Sequence, residues 1–354
     1  MKSNLKFFKK SKSLPVDRFF QNVLYDRKIG YYSSRQPFGE QGDFITAPKI
    51  SNLFSEMIGI WIISTWELFG KPKIFNIVEL GPGDGSLTKI LLDVFIKFPE
   101  FNSAKRIYLY EISSFLKNSQ KKNIQSKQIK WINNFKNIKN GPVIFFGNEF
   151  FDAIPIKQFK RENKNLYEKY YVLDKNYKIE EFFKKASVKD ALAIKSFKTL
   201  KNLKFIEFPK FGFEELNKIV KKISKLKGCF LMIDYGYLTP NNQNTLQSVM
   251  KHKKNNVLNN LGKADITSHV NFKLIREFFL KNNLKVKKIV PQKNFLRNIG
   301  IIERAEIISK KMKFGDQSNL YLRLKRLLSK NLMGDLFKVA LAFKCKSKGF
   351  LGFK

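Results

Sequence analysis

Ile77-Val78-Glu79-Leu80-Gly81-Pro82-Gly83-Asp84-Gly85-Ser86-Leu87 is the stretch that decides how this chain folds. An apolar run ends in three glycines at alternate positions, and a helical pattern starts at Ser86. Glycines at such a strand-to-helix junction permit positive φ and let a ligand come close to the strand end. Ser86 stands where a GxGxxG dinucleotide fingerprint has its last glycine. A side chain there works against pyrophosphate approach and helix packing, so NAD or FAD is the poorer ligand.

Working outward, strands are predicted over 74–80, 106–111, 129–133, 143–147 and 229–235, with helices over 86–97 and 113–122. This alternation predicts an α/β chain with a parallel, doubly wound sheet. Helical patterns at about 14–27 and 51–69 precede it. The interval 156–227 breaks the alternation, with Tyr- and Lys-rich alternating segments around 167–171 and helical patterns near 190–201 and 214–226. It is read as an insertion after the fourth strand. Late strands at 284–291 and 336–343 close the sheet, with a helical segment near 302–330.

Composition narrows the function classes. The chain has 354 residues, 43% of them apolar and 14% aromatic, so a sizeable core is available and global disorder is excluded. Lys and Arg number 68 against 29 acids, a formal charge of +39. Only ten of those cations are Arg. A nucleic-acid groove draws heavily on Arg, so the excess reads as a solvated lysine surface. Cys229 and Cys345 stand far apart without neighbouring histidines, and His252 and His269 are the only two histidines, so no disulfide framework or metal site is expected. The apolar stretch 53–69 carries Glu56 and Glu67 and reads as a buried helix, not a membrane span. The N-terminus lacks the apolar h-region of a secretory signal. A reducing cytosol is the expected compartment.

Two acids sharpen the reading of the glycine loop. Glu79 precedes it within the strand, and Glu-x-Gly-x-Gly-x-Gly resembles the first motif of Rossmann-like methyltransferases that use S-adenosyl-L-methionine (SAM). That cofactor has no phosphate. Glu111, after Ile107-Tyr108-Leu109-Tyr110, ends the second strand where a carboxylate would grip the ribose hydroxyls. The competing reading makes Glu111 an acid at the terminus of the helix that begins near Ser113. Asn133, ending the third strand, is a candidate for the adenine edge.

Further strings go beyond turn chemistry: Gly30-Tyr31-Tyr32, Gly39-x-x-Gly42-Asp43-Phe44-Ile45-Thr46-Ala47-Pro48, Asn148-Glu149-Phe150-Phe151-Asp152-Ala153-Ile154-Pro155, Asp234-Tyr235-Gly236-Tyr237, Ala264 to Phe272 and Met333 to Val339. In this order they resemble the MidA-like SAM-dependent methyltransferases, a family that includes the mitochondrial complex I assembly factor that methylates arginine. The resemblance covers about residues 14–345. It implies a Rossmann-like class I methyltransferase sheet over 73–354, preceded by an N-terminal segment, 1–72, folded over the cofactor cleft. Gly42 and Asp43 would then lie near SAM; the alternative is a turn with Phe44 in the core. Two departures stand out. Asp84 replaces a residue that is usually basic in the family, and Lys49 one that is commonly acidic.

The expected activity is methylation of arginine in a partner protein, such as a respiratory complex I subunit. Asn148, Glu149 and Asp152 follow the fourth strand, and carboxylates suit a guanidinium through bidentate geometry. Glu149 is expected to grip the substrate, with Asp152 assisting and Asn148 positioning. The alternative has Asp152 as a cap and Phe150 and Phe151 as core. An RNA methyltransferase is the first rival, although Asn148-Glu149-Phe150-Phe151 is not the Asn/Asp-Pro-Pro-aromatic string of amino-group nucleic-acid methylases. A SAM-binding assembly chaperone without catalysis is the second. No specific nucleic acid and no membrane insertion are expected, and a homodimer is left open. Because the motifs begin by about residue 14, a bacterial cytoplasm is expected in preference to the mitochondrial matrix.

Overall fold

The structure is a computed structural model that describes residues 4–9, 11–34, 46–346 and 348–353. The expectations at Gly42 and Asp43 lie outside the described residues. The chain divides into two compact units. One comprises Ile45–Phe150, Lys218–Gly236 and Phe279–Lys354; the other comprises Met1–Phe44, Phe151–Asn217 and Tyr237–Phe278. The dividing line near residue 44 differs from the boundary expected at 72. The reason is the helix Asn52–Leu68 (α1), whose Phe54, Trp61 and Ile62 are buried in the core of the first unit.

That first unit is built on a sheet. Its main strands are β1 (Phe75–Leu80), β2 (Lys105–Tyr110), β3 (Ile129–Ile132), β4 (Val143–Asn148), β5 (Gly228–Tyr237) and β6 (Phe337–Lys344), in the order β3-β2-β1-β4-β5-β6. The first five run parallel, with Ile77 of β1 opposite Ile107 of β2 and Ile144 of β4; β6 is antiparallel to β5. Parallel strands covered on both faces carry continuous apolar runs. Every residue of β1 is buried, which is why these strands are legible in the sequence. Helices α2 (Ser86–Phe95) and α3 (Ser114–Ile124) follow β1 and β2. The late strand expected at 284–291 is instead two short pieces, Lys285–Val286 and Val290–Pro291, both paired with β6. The helical segment expected near 302–330 is two helices, Ile301–Ser309 and Phe314–Leu328.

Strand order reverses at β1 and β4. The chain leaves β1 toward β2 on one side and returns through β4 on the other. In open parallel sheets this switch point opens a crevice at the carboxyl ends of the strands, and ligands bind there.

The second unit holds an antiparallel sheet in which Ser13–Pro15, Asn165–Leu173, Lys157–Glu162 and Phe205–Phe208 follow in that order, with Ile179–Lys185 also paired to Asn165–Leu173. The expected insertion at 156–227 therefore supplies most of this sheet. It is joined by the helix Val16–Tyr25 and by a small sheet of Gln247–Met250, Lys253–Asn255 and Asp265–Thr267. Those three short strands lack an apolar run, so periodicity alone does not reveal them. Phe7, Phe8, Phe19, Phe20 and Tyr171 pack together as this unit's aromatic core.

A charge cluster is buried in the same unit. Lys157 Nζ bonds Glu168 Oε1 and lies 3.3 Å from Asp190 Oδ2 and 4.0 Å from Asp17 Oδ2. Lys210 Nζ reaches Asp190 Oδ1 at 2.7 Å. Burial pushes the Asp17 and Glu168 carboxyls above their ordinary values against the pull of Lys157. Burial also opposes the Asp190 carboxylate, but Lys210 and Lys157 outweigh it and hold its pKa below the usual range. Among the described residues, no helix is long and apolar enough to cross a membrane.

Candidate cofactor and transfer site

The glycine loop leaves β1 with φ of +59° at Gly81, +57° at Gly83 and +84° at Gly85, so all three positions use the conformation that favours glycine. The loop is tied at both ends. Gly81 N donates to Tyr110 O of β2 at 3.0 Å, and Gly85 N donates to Pro82 O at 2.8 Å. A Cβ on Gly81 would lie 2.7 Å from the Phe150 ring, so the loop is seated directly against the motif that follows β4.

The start of α2 is arranged for a ligand without phosphate. Asp84 Oδ1 accepts from Ser86 N at 3.1 Å and from Ser86 Oγ at 2.7 Å, while Asp84 Oδ2 pairs with Lys49 Nζ at 2.7 Å. A dinucleotide's pyrophosphate uses the donors of such a helix N-terminus. Here the chain's own carboxylate already takes the first of those N–H groups, that of Ser86, which suits a cofactor without phosphate. Asp84 and Lys49, the two positions that depart from the resemblance, thus meet as an ion pair.

Glu79 is 4% exposed, and its carboxyl accepts from Thr88 Oγ1, tying β1 to α2. Burial pushes this carboxyl up to about 8 from an ordinary 4.5; the Thr88 bond opposes that rise and the charge of Asp84 adds to it. Between those values the folded chain holds a proton that the unfolded chain releases. Stability that is full below about pH 4.5 is therefore lost as pH rises toward about 8. Relative to Glu79→Gln, the wild-type chain should lose on the order of a few kcal/mol over that window. Urea unfolding of both chains from about pH 5 to about pH 9 checks this. Parallel stability curves would mean that Glu79 is ionised throughout.

Glu111 follows β2 and is 6% exposed. Its Oε1 accepts from Ser113 N at 2.7 Å and its Oε2 from Gln120 Nε2 at 3.1 Å. Burial raises its pKa, opposed by these donors, by the Ile112 N–H and by the charge of Lys117. The structure shows the contact of the helix-terminus reading. The carboxylate meets the backbone of Ser113, the cap residue of α3, yet a carboxylate accepts about four hydrogen bonds and capacity for a ligand hydroxyl remains. Asn133 is exposed just past β3, where its Oδ1 accepts from Asn134 Nδ2 at 2.8 Å.

Across the switch point, Asn148 ends β4 and Glu149 takes φ +53°, a left-handed conformation rare for a residue with a side chain. Such strain collects at functional positions. Glu149 N donates to Ile233 O of β5 at 2.9 Å. Glu149 Oε1 accepts from Asn148 Nδ2 at 3.0 Å and from Ala47 N at 3.4 Å. Among the described residues, Asn148 Oδ1 is buried without a hydrogen-bond partner, the kind of atom a bound donor would satisfy. The structure therefore gathers Glu79, the three glycines, Glu111, Asn148 and Glu149 at one edge of one sheet. Asp152 belongs to the other unit, where it is buried and its backbone oxygen accepts from Ser268 N at 2.9 Å. His269 lies in that unit too and donates its N–H to Thr245 Oγ1 at 3.0 Å.

Sequence reasoning missed Gln120. Its Nε2 also donates to Gly83 O at 2.8 Å, and its Oε1 accepts from Trp131 Nε1 at 2.9 Å. The available signal was an amide within the apolar stripe of Leu116 and Ile124, at i, i+4 spacing.

Residues 57–290 match the family described as "Putative S-adenosyl-L-methionine-dependent methyltransferase". The mitochondrial protein arginine methyltransferase NDUFAF7 of Xenopus tropicalis is 28% identical over 350 residues, covering 92% of this chain and 81% of that protein. Its Homo sapiens counterpart is 28% identical over 323 residues, covering 83% and 72%. A crystal structure of a Burkholderia thailandensis protein bound to S-adenosyl-homocysteine superposes with a TM-score of 0.81 at 21% identity, over 99% of this chain and 92% of that one. The fold expected from the glycine loop is borne out.

Proposed function

We propose that this chain, which belongs to the S-adenosyl-L-methionine-dependent methyltransferase family, transfers the SAM methyl group to an arginine in a partner protein. The cofactor follows from the family, and the loop geometry fits it. Gly81, Gly83 and Gly85 would carry its backbone contacts and Glu111 its ribose. When bound, SAM supplies a methyl group on a sulfonium, ready for attack by a nucleophile.

The observation that carries the arginine reading is Glu149, held in a left-handed turn beside the glycine loop. A guanidinium stays protonated and its charge is delocalised, so it is a poor nucleophile. A carboxylate that holds the fork in place draws the positive charge onto the far nitrogens and orients the near one. SAM would supply the methyl and leave as S-adenosylhomocysteine, while Glu149 would hold the accepting nitrogen, whose proton would pass to solvent. Glu149 would grip the guanidinium, with Asn148 holding the Glu149 carboxylate in place. The names of the arginine-methylating relatives support this reading.

Glu149→Gln keeps the shape and removes the charge. It should bind SAM nearly as the wild type does and transfer at least about tenfold more slowly, a barrier change of about 1.4 kcal/mol. The assay is methyl-labelled SAM with a host lysate, with and without RNase. Label in a protein band that survives RNase and fades in Glu149→Gln supports the reading. Label confined to RNA would replace it with the nucleic-acid rival, and SAM binding without any label would leave the chaperone.

A further inference from the structure

Gln120 is 0% exposed on the inward face of α3, where an amide is costly unless its hydrogen bonds are made. Its partners come from three separate places: Gly83 O in the glycine loop, Glu111 Oε2 after β2 and Trp131 Nε1 in β3. An indole N–H can only donate, so Trp131 dictates which end of the amide is the oxygen. The NH2 end must then face the loop and the acid. No pairing of strands accounts for this arrangement, because all three bonds run through one side chain. The two Glu111 oxygens are consequently pinned separately, Oε1 by Ser113 N and Oε2 by Gln120 Nε2.

We propose that Gln120 is a positioning residue of the cofactor site: it fixes the plane of the Glu111 carboxylate and the carbonyl of Gly83 together, so that recognition of the ribose hydroxyls depends on its amide. This rests on the reading of Glu111 as the ribose ligand. Gln120→Met keeps length and apolar contact but frees the carboxylate to rotate. A carboxylate in the wrong plane loses bonds to hydroxyls and keeps nearly all other contacts with the ligand. The signature is therefore lost discrimination, not general weakening.

The test compares S-adenosylhomocysteine with its 2′-deoxy and 3′-deoxy analogues by calorimetry. Wild type should bind at least one deoxy analogue about tenfold or more weakly than the parent, the scale of a hydrogen bond to a charged group. In Gln120→Met the parent should weaken about tenfold and that analogue less than about threefold, so the ratio collapses toward one. Trp131→Phe keeps a ring and removes the donor that orients the amide. It should erode the ratio in the same direction, and it serves if the Met variant fails to fold. Equal weakening of parent and analogue, or an unchanged ratio in a folded variant, would overturn the proposal. Wild type that binds the parent without discriminating the analogues would instead fell the reading of Glu111, and the positioning role with it. Wild type that binds none of the three would remove the cofactor site itself.

Discussion

Gly83→Val should show no SAM binding at concentrations about a hundredfold above the wild-type Kd, a loss of at least about 2.7 kcal/mol, while the chain stays folded. Gly83 is the middle glycine of a loop at the carboxyl end of β1, and its φ is +57°. Valine there is strained by roughly 1–3 kcal/mol and stiff at χ1. Its methyl groups would stand where a ligand lies over the strand ends of an open parallel sheet. Gly81 is the less informative position, because a Cβ at 2.7 Å from Phe150 would damage the protein's own packing as well. Calorimetry with SAM, beside a thermal melt monitored by circular dichroism, separates the two effects. Binding within a few-fold of wild type by folded Gly83→Val would remove the loop from the cofactor site.

The second large effect concerns stability. Lys157→Met should cost about 3–5 kcal/mol, the usual scale for removing one partner of a buried ion pair. The loss is large because Glu168 and Asp17 keep their burial but lose the cation beside them, leaving Lys210 to Asp190 alone. Burial already raises both orphaned carboxyls, so the wild-type cluster is held together by charge against the cost of desolvation. Adding Asp17→Asn and Glu168→Gln should restore part of the loss. Urea unfolding read by a probe in the second unit makes the measurement, since two units need not unfold together. A loss below about 1 kcal/mol would place this cluster with ordinary surface pairs.

Much of the first unit could be read from local pattern. Strands buried on both faces are mostly apolar, so β1, β2, β4 and β5 announce themselves within a window of a few residues. The three glycines announce a backbone that needs positive φ, and the structure uses it at each of them. The positions of Glu111 after β2 and of Glu149 after β4 follow from the same local pattern. The second unit was less legible. Its small sheet consists of strands of three or four residues without an apolar run, and its body is gathered from one stretch before the sheet unit and two that interrupt it.

Local pattern was enough for the strand–loop–helix junction at 77–87, the succession of strands along the chain and the absence of a built-in phosphate fingerprint, because each depends on residues near one another in the chain. Only the tertiary structure decided which distant groups meet. Lys49 neutralises Asp84, Gln120 joins Gly83 to Glu111 and Trp131, and Asp152 falls in the other unit although it stands three residues after Glu149. The physical reason is range. Backbone conformation and strand burial are set by periodicity and local sterics, whereas a hydrogen bond or ion pair is set by which side chains the completed packing brings within about 3 Å.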